Sequence, residues 1–317
     1  MRDDTKSSWP WISVSAEIFI VRLLLRGGLA LSIAATSPTA CSRSTTAGST
    51  RVDTVFAEGF ESGTLGAWQD GVDAARHQVV TDPSGAQAGR RYLQVTYPAG
   101  GDGGWLTHFL LPGYDSLYVS YFVRFPLTWR GGTKLLAFYG SRTDNQWSAF
   151  GKAGLCPNGT DFFAAMLVAE ASGDPGFTRF YTYYPGMARE PDGVTCWGRL
   201  GDGAERYLPP LVLSRGVWHQ VEFWVRLNTP GHSDGSQTFR LDGIQRGSWV
   251  GLSFRASTIL RLNSVQLTFS VSGGVRQTQQ LDVDNLVVTT SPPARKFLYA
   301  DPSNNTGMLR VIFRLMR

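Results

Sequence analysis

From about Phe56 to Thr290 the chain is a succession of short runs in which apolar and polar residues alternate, each cut off by Gly, Pro, Asn or Asp. A period of two is what a half-buried strand requires, and no stretch of 12 residues carries the 3.6-residue period of a helix. The pattern restricts the fold to an all-β, antiparallel sandwich of the jelly-roll kind. Tyr118–Phe125, Phe162–Ala169, Phe177–Tyr184, Val217–Leu227, Gln237–Leu241, Val265–Val271 and Leu281–Thr289 read as strands, and Asp242-Gly243 as a two-residue hairpin turn. Along the last run Leu281 and Val283 are in phase, then Leu286 and Val288, which predicts a bulge at Asp284-Asn285. The 36 glycines, 10 tryptophans and 11 tyrosines suit a turn-rich, aromatic β protein.

The ends have a different character. Arg22 and Arg26 precede the apolar run Leu29–Ala35, and small residues lead to Thr39-Ala40-Cys41. That is the layout of an export signal, with a lipoprotein-like lipidation site at Cys41, and the run is too short to span a bilayer. Asp3, Asp4 and Glu17 fit no signal, so Val21 is the expected true start. An ordinary cleaved signal with a chance cysteine is the other reading. Residues 1–41 are thus expected to be the signal, 42–54 a Ser/Thr-rich linker, 55–291 the folded domain and 292–317 a basic tail. For the tail, surface association, a final strand and disorder all stand, disorder being the expectation.

The formal charge of +5 belongs to the ends, since residues 42–291 sum to zero. A basic footprint for nucleic acid is missing from the domain, and the membrane is expected to be met only through a lipid on Cys41. With Cys41 set aside, Cys156 and Cys196 form an even pair, expected to be a disulfide in an exported, cell-envelope or secreted protein.

In Val217–Leu227, alternation places Trp218, Gln220, Glu222, Trp224 and Arg226 on one face. Aromatics interleaved with hydrogen-bonding groups suit a sugar-binding surface; a covered outer face with structural salt bridges is the equal alternative. In Phe177–Tyr184, Arg179, Tyr181 and Tyr183 share a face. Lys134 and Lys152 are the only lysines between residues 42 and 291, so a lysine in the apolar segment after Gly131-Gly132 stands out.

The segments SLYVSYFVRFP, WRGGTKLLAFYG, QWSAF, RFYTYYP, GVWHQVEFWVRLNTPG and FRLDG resemble the concanavalin A-like jelly roll of polysaccharide lyase family 14, the alginate and glucuronan lyases. The likeness spans roughly residues 115–290. In that family a Gly-Gly-Lys segment, a Ser-x-Arg strand and a Tyr-x-Tyr strand line a cleft. The resemblance therefore implies Lys134, Ser148, Tyr181 and Tyr183 as cleft residues. The family's arginine falls on Phe150 here, and Arg179 is the candidate to replace it.

The same residues can be read chemically. β-Elimination of a uronate needs its carboxylate neutralised, the C5 proton removed and the leaving oxygen protonated. Arg179 or Lys134 fits the first task and the tyrosines the other two. The competing reading has Tyr181 and Tyr183 stacking neutral sugars and Lys134 paired with a carboxylate. Two functions follow: an exported lyase-like protein acting on acidic polysaccharide, or a non-catalytic carbohydrate-binding or surface-attachment protein on the same fold. A purely structural envelope protein without an open cleft is a third. A monomer requiring no cofactor is expected.

Weaker signals complete the inventory. Glu58, Glu61, Asp282 and Asp284 lie near the two chain ends of the domain and are oxygen ligands suited to a structural Ca²⁺; capping and surface pairing are the alternatives. His108 is a candidate substrate-binding or acid–base residue in the cleft, against a hydrogen-bonded structural histidine. No Glu-x-Asp-x-Glu strand, H-E-x-x-H, G-x-S-x-G or Walker A motif occurs.

Overall fold

The computed structural model describes residues 52–170, 177–200, 205–207, 212–294, 297–298 and 311–312. The export signal, Cys41 and nearly all of the linker lie outside these residues.

All described regular structure is β. In chain order the strands are β1 (Thr54–Glu58), β2 (His77–Thr81), β3 (Arg91–Tyr97), β4 (Trp105–Tyr114), β5 (Ser116–Arg124), β6 (Thr133–Arg142), β7 (Phe163–Ala169) and β8 (Thr178–Tyr183). There follow β9 (Glu205–Tyr207), β10 (Trp218–Arg226), β11 (Gly235–Leu241), β12 (Ile244–Leu252), β13 (Leu260–Thr268) and β14 (Gln279–Thr289). In the tail, β15 (Phe297–Leu298) pairs with β16 (Val311–Ile312).

Two antiparallel sheets make a sandwich. The nine-stranded sheet runs β2-β3-β14-β5-β10-β11-β12-β9, with β1 added on β14. The five-stranded sheet runs β4-β13-β6-β7-β8. The inner faces supply one apolar core, in which Val119, Tyr121, Val123, Val221, Phe223 and Val225 meet Phe138, Phe163, Leu167 and Phe180. Phe138 stacks on Phe223 with ring centroids 5.8 Å apart. The alternation read in the sequence is the alternation of these two faces.

The two local irregularities expected from sequence are present. Asp242 (φ 51°) and Gly243 (φ 77°) join β11 to β12 as a primed turn, which needs left-handed backbone at both positions. The register of β14 on β5 shifts between Asp284 and Val287, with Asn285 left-handed (φ 50°). This bulge returns Leu286 and Val288 to the core.

β7 is buried along its whole length. Phe163, Ala165 and Leu167 enter the main core, whereas Ala164 and Met166 belong to a second cluster on the other face with Ala137, Ala149, Phe162 and Tyr183. The outer face of the five-stranded sheet is therefore covered by chain and partly hollow, and the candidate site lies there.

Candidate active site

The registers of β6, β7 and β8 align three cross-strand rows on this outer face. They are Lys134–Val168–Arg179, Ala137–Met166–Tyr181 and Tyr139–Ala164–Tyr183. Strict alternation would put Lys134 in phase with Leu136 and Phe138, in the core. A bulge between Lys134 and Leu136 prevents this: Leu135 and Leu136 both turn inward, and Lys134 comes out beside Ala137 and Tyr139. The turn before β6 is anchored. Trp129 is fully buried and its indole donates to the Gly131 carbonyl at 2.7 Å. Gln279 both accepts from the Arg130 amide and donates to the Arg130 carbonyl, each at 3.0 Å.

The Lys134 ammonium lies 5.4 Å from the centre of the Tyr181 ring, a cation–π contact. The Tyr181 and Tyr183 hydroxyl oxygens are 3.4 Å apart. Among the described residues no carboxylate lies within ion-pair distance of Lys134; burial holds its pKa below the ordinary lysine value, and the more distant Asp102 only partly restores it. Tyr183 moves the opposite way. Burial pushes its pKa up and contact with Tyr181 adds to this, while the Gly198 and Gly154 backbone pulls weakly back. Lys134 is thereby shifted toward the neutral amine and Tyr183 held as the neutral phenol.

Two loops wall the tyrosines, and the Cys156–Cys196 disulfide ties them together (Cα–Cα 5.0 Å). Gly154 bridges Cys196, and Arg199 exchanges both backbone hydrogen bonds with Thr182 of β8. Gly198 is thus laid against Tyr181, where a Cβ would stand 2.6 Å from the ring; only glycine permits that approach.

A groove of ≈ 1170 Å³ opens over Lys134, Tyr181 and Tyr183. Arg130, Arg276, Trp197, Gln277 and Gln279 also line it, and Glu170 is the one acid among its lining residues. Three cations against one carboxylate make a lining suited to a polyanion. Arg130, Arg276 and Trp197 are site residues that sequence reasoning missed. They sit in loops, where period carries no information.

Other candidates fall elsewhere. Arg179 does share its face with Tyr181 and Tyr183, but its guanidinium pairs with Glu170 at 3.5 Å. Ser148 is not on a strand. It lies in a turn, accepting from the Arg142 amide (2.8 Å) and donating to the Asp161 carbonyl (3.1 Å), so its hydroxyl is fully engaged away from the groove. His108 points to the inner side of β4, stacked on Phe56 at 3.8 Å and bonded to the Ala67 carbonyl, which corrects the expectation of a cleft residue.

Trp218, Gln220, Glu222, Trp224 and Arg226 do share a face, but on the nine-stranded sheet, remote from the groove. There the face satisfies itself. Trp218 donates to the Gly85 carbonyl, Gln220 to Ser120 and Trp224 to Ser116, at 2.8–3.0 Å. Buried Glu222 accepts from the Tyr118 hydroxyl at 2.6 Å, Arg226 donates to the Asp234 carbonyl, and Arg124 lies over the Trp218 ring at 4.6 Å. Its polar groups are bonded within the protein, with Trp218, Gln220 and Trp224 half-buried and Arg226 exposed.

The four acids do not converge either. Glu58 caps the Phe60 amide, Glu61 accepts from the Arg90 and Arg91 amides, and Asp282 pairs with Arg124 at 2.9 Å. Asp284 accepts from the Gln87 and Ala88 amides. Among the described residues no three His, Cys, Asp or Glu side chains could hold one metal ion. The calcium expectation is therefore replaced by backbone capping, in which each carboxylate already has its cationic or N–H partners.

No family model matches the chain, and no curated protein matches it in sequence. Solved structures do. A family PL-14 alginate lyase from Aplysia kurodai superposes with a TM-score of 0.59 at 18% identity, over 75% of this chain and 100% of that one. The alginate lyase Aly36B, a double mutant in complex with alginate trisaccharide, gives 0.56 at 16%, over 76% and 100%. An endo-β-1,4-glucuronan lyase from the fungus Trichoderma reesei gives 0.51 at 15%, over 75% and 96%. At these identities the likeness is one of fold: the chain is a concanavalin A-like jelly roll, built as these polysaccharide lyases are.

Proposed function

We propose that the groove is the active site of an extracytoplasmic polysaccharide lyase that cleaves uronate-containing glycans by β-elimination. One observation carries the proposal. Lys134 and Tyr183 line one cationic groove, each in contact with Tyr181 between them, and their environments displace their proton affinities in opposite directions. Two titratable groups driven apart in this way are suited to be a base and an acid. The neutral Lys134 amine takes the C5 proton. Those electrons form the C4–C5 double bond, the C4–O4 bond breaks, and the leaving oxygen takes the Tyr183 proton. Solvent then returns a proton to Tyr183 and removes one from Lys134. Arg130 and Arg276 meet the polymer's carboxylates, and Trp197 offers a ring to a sugar face. The disulfide fits an oxidising compartment.

The test is ultraviolet absorbance of the unsaturated product on alginate, glucuronan and other polyuronates. We expect a rise that falls by about 10²–10⁴ in Tyr183→Phe and in Lys134→Ala, with melting curves showing both variants folded. No rise on any of these polymers would refute the lyase assignment.

A second function has its own support. Arg179 is engaged by Glu170, and β7, the strand between Lys134 and the tyrosines, presents Ala164, Met166 and Val168 in the cross-strand rows, none of them a cation. Non-catalytic binding of acidic glycan in the same groove is then the outcome, seen as affinity without product.

A further inference from the structure

The groove continues past the tyrosines into a side cavity. Lys134, Ala153 and Tyr183 line both the groove and a second space of ≈ 120 Å³. The cause is the row Tyr139–Ala164–Tyr183, in which an alanine between two tyrosines leaves a hollow in the sheet surface. Ala149, Phe162 and Met166 complete an apolar wall, and Lys152 adds one ammonium.

Size and chemistry restrict what enters. A cavity of roughly 150 Å³ is what a six-membered hydrocarbon ring occupies, so this space is too small for a sugar ring and large enough for a two-carbon substituent. An apolar group gains contact with the alanine, phenylalanine and methionine walls, while an acceptor beside it can reach the Lys134 and Lys152 ammoniums that also line the space. A short acyl ester fits on both counts: its methyl meets the apolar wall, and its carbonyl is an acceptor for Lys152. Because Lys134 and Tyr183, the groups assigned as base and acid, line both the groove and the cavity, an occupant of the cavity would hang from the sugar being cleaved.

We propose that this cavity is a subsite for an O-acyl group, and that the groove selects O-acylated polyuronate. The proposal rests on the placement of the glycan at Lys134 and Tyr183 argued above.

The experiment compares one polyuronate in O-acetylated form with the same polymer after mild alkaline de-O-acetylation. Both cleavage rate and calorimetric affinity are measured. Wild type should favour the acetylated polymer by about ten-fold in kcat/KM, the low end of what one apolar group in a fitted pocket gives. Ala164→Leu, and separately Ala149→Leu, fill the cavity and should bring that ratio to about one, with melting curves to establish folding. A wild-type ratio of one or below overturns the proposal while leaving elimination intact. So does an equal loss on both polymers, which would mean that the cavity holds part of the sugar itself. If neither polymer is cleaved, the lyase assignment fails and the affinities decide. Tighter binding of the acetylated form, abolished in both variants, supports the subsite; equal affinities overturn it.

Discussion

Removing the Cys156–Cys196 disulfide tests both the stability of the domain and the construction of its site. The two cysteines are 40 residues apart in sequence. In the chain-entropy treatment, opening a loop of that length releases about 4 kcal/mol of unfolded-state entropy at 25 °C. For a domain of this size, each kcal/mol moves the melting temperature by about 2–4 °C, so Cys156→Ala/Cys196→Ala should melt about 8–16 °C lower. The loss is not confined to stability. The bridge joins the Gly154 loop to the segment that lays Gly198 on Tyr181, and both glycines reach Tyr183. Without it, activity or glycan affinity should fall at temperatures where the variant is still folded. The assay is paired thermal melts and initial rates, for the variant and for wild type with and without reductant, thiol titration recording the redox state. A fully reduced protein with an unchanged melting temperature would refute the loop-closure reasoning. An unchanged rate in a variant that melts lower would refute the idea that the bridge organises the site.

Three further outcomes follow from the same structure. kcat/KM should rise with pH through the neutral and mildly alkaline range, because the base is neutral Lys134, and should fall only where Tyr183 ionises, above the ordinary tyrosine value; a rate that declines as pH rises through neutrality contradicts the assignment. Lys134→Met should abolish activity yet raise stability by about 1 kcal/mol at neutral pH. Lysine in the fold has its pKa below the unfolded value, so its charged form penalises folding below the folded pKa, and the variant's advantage should shrink as pH climbs toward the unfolded lysine's pKa, as denaturant melts at several pH values would record. Asp284→Ala strips the acceptor from the Gln87 and Ala88 amides and should cost about 2–3 kcal/mol, with no change on adding calcium or a chelator to wild type.

The sheets were legible because burial on one side writes itself into sequence with period two. Tyr118–Phe125, Val217–Leu227 and Leu281–Thr289 each fall within two residues of an observed strand at either end. The bulge at Asp284-Asn285 was legible for the same reason, as a break of phase between apolar residues. β4 lacked that clarity: it carries Pro112 and Gly113 near its end and sits at the sheet edge. Arg179, Tyr181 and Tyr183 could be placed on one face because β8 is regular. Ser148 could not, because QWSAF reads as a strand by composition and folds as a turn whose polar groups bond each other.

The harder question was which polar face is for function, and alternation does not contain the answer. Trp218, Gln220 and Trp224 look like a sugar platform when β10 is read alone. They are quenched by Gly85, Ser116 and Ser120, whose proximity is fixed by the pairing of β10 with β5 and by a loop more than a hundred residues away. Lys134 is the converse. In its own strand it looks misplaced, and a bulge brings it out beside the Tyr181 ring, with no carboxylate at ion-pair distance among the described residues. Both faces are rich in aromatics and charge, so composition does not separate them. What separates them is whether the cross-strand neighbours answer each polar group. On the nine-stranded sheet they do, which leaves little for a ligand to gain. Over β6, β7 and β8 the Lys134 ammonium stays desolvated with no ion-pair partner among the described residues, at a cost in stability that a passing polyanion can offset.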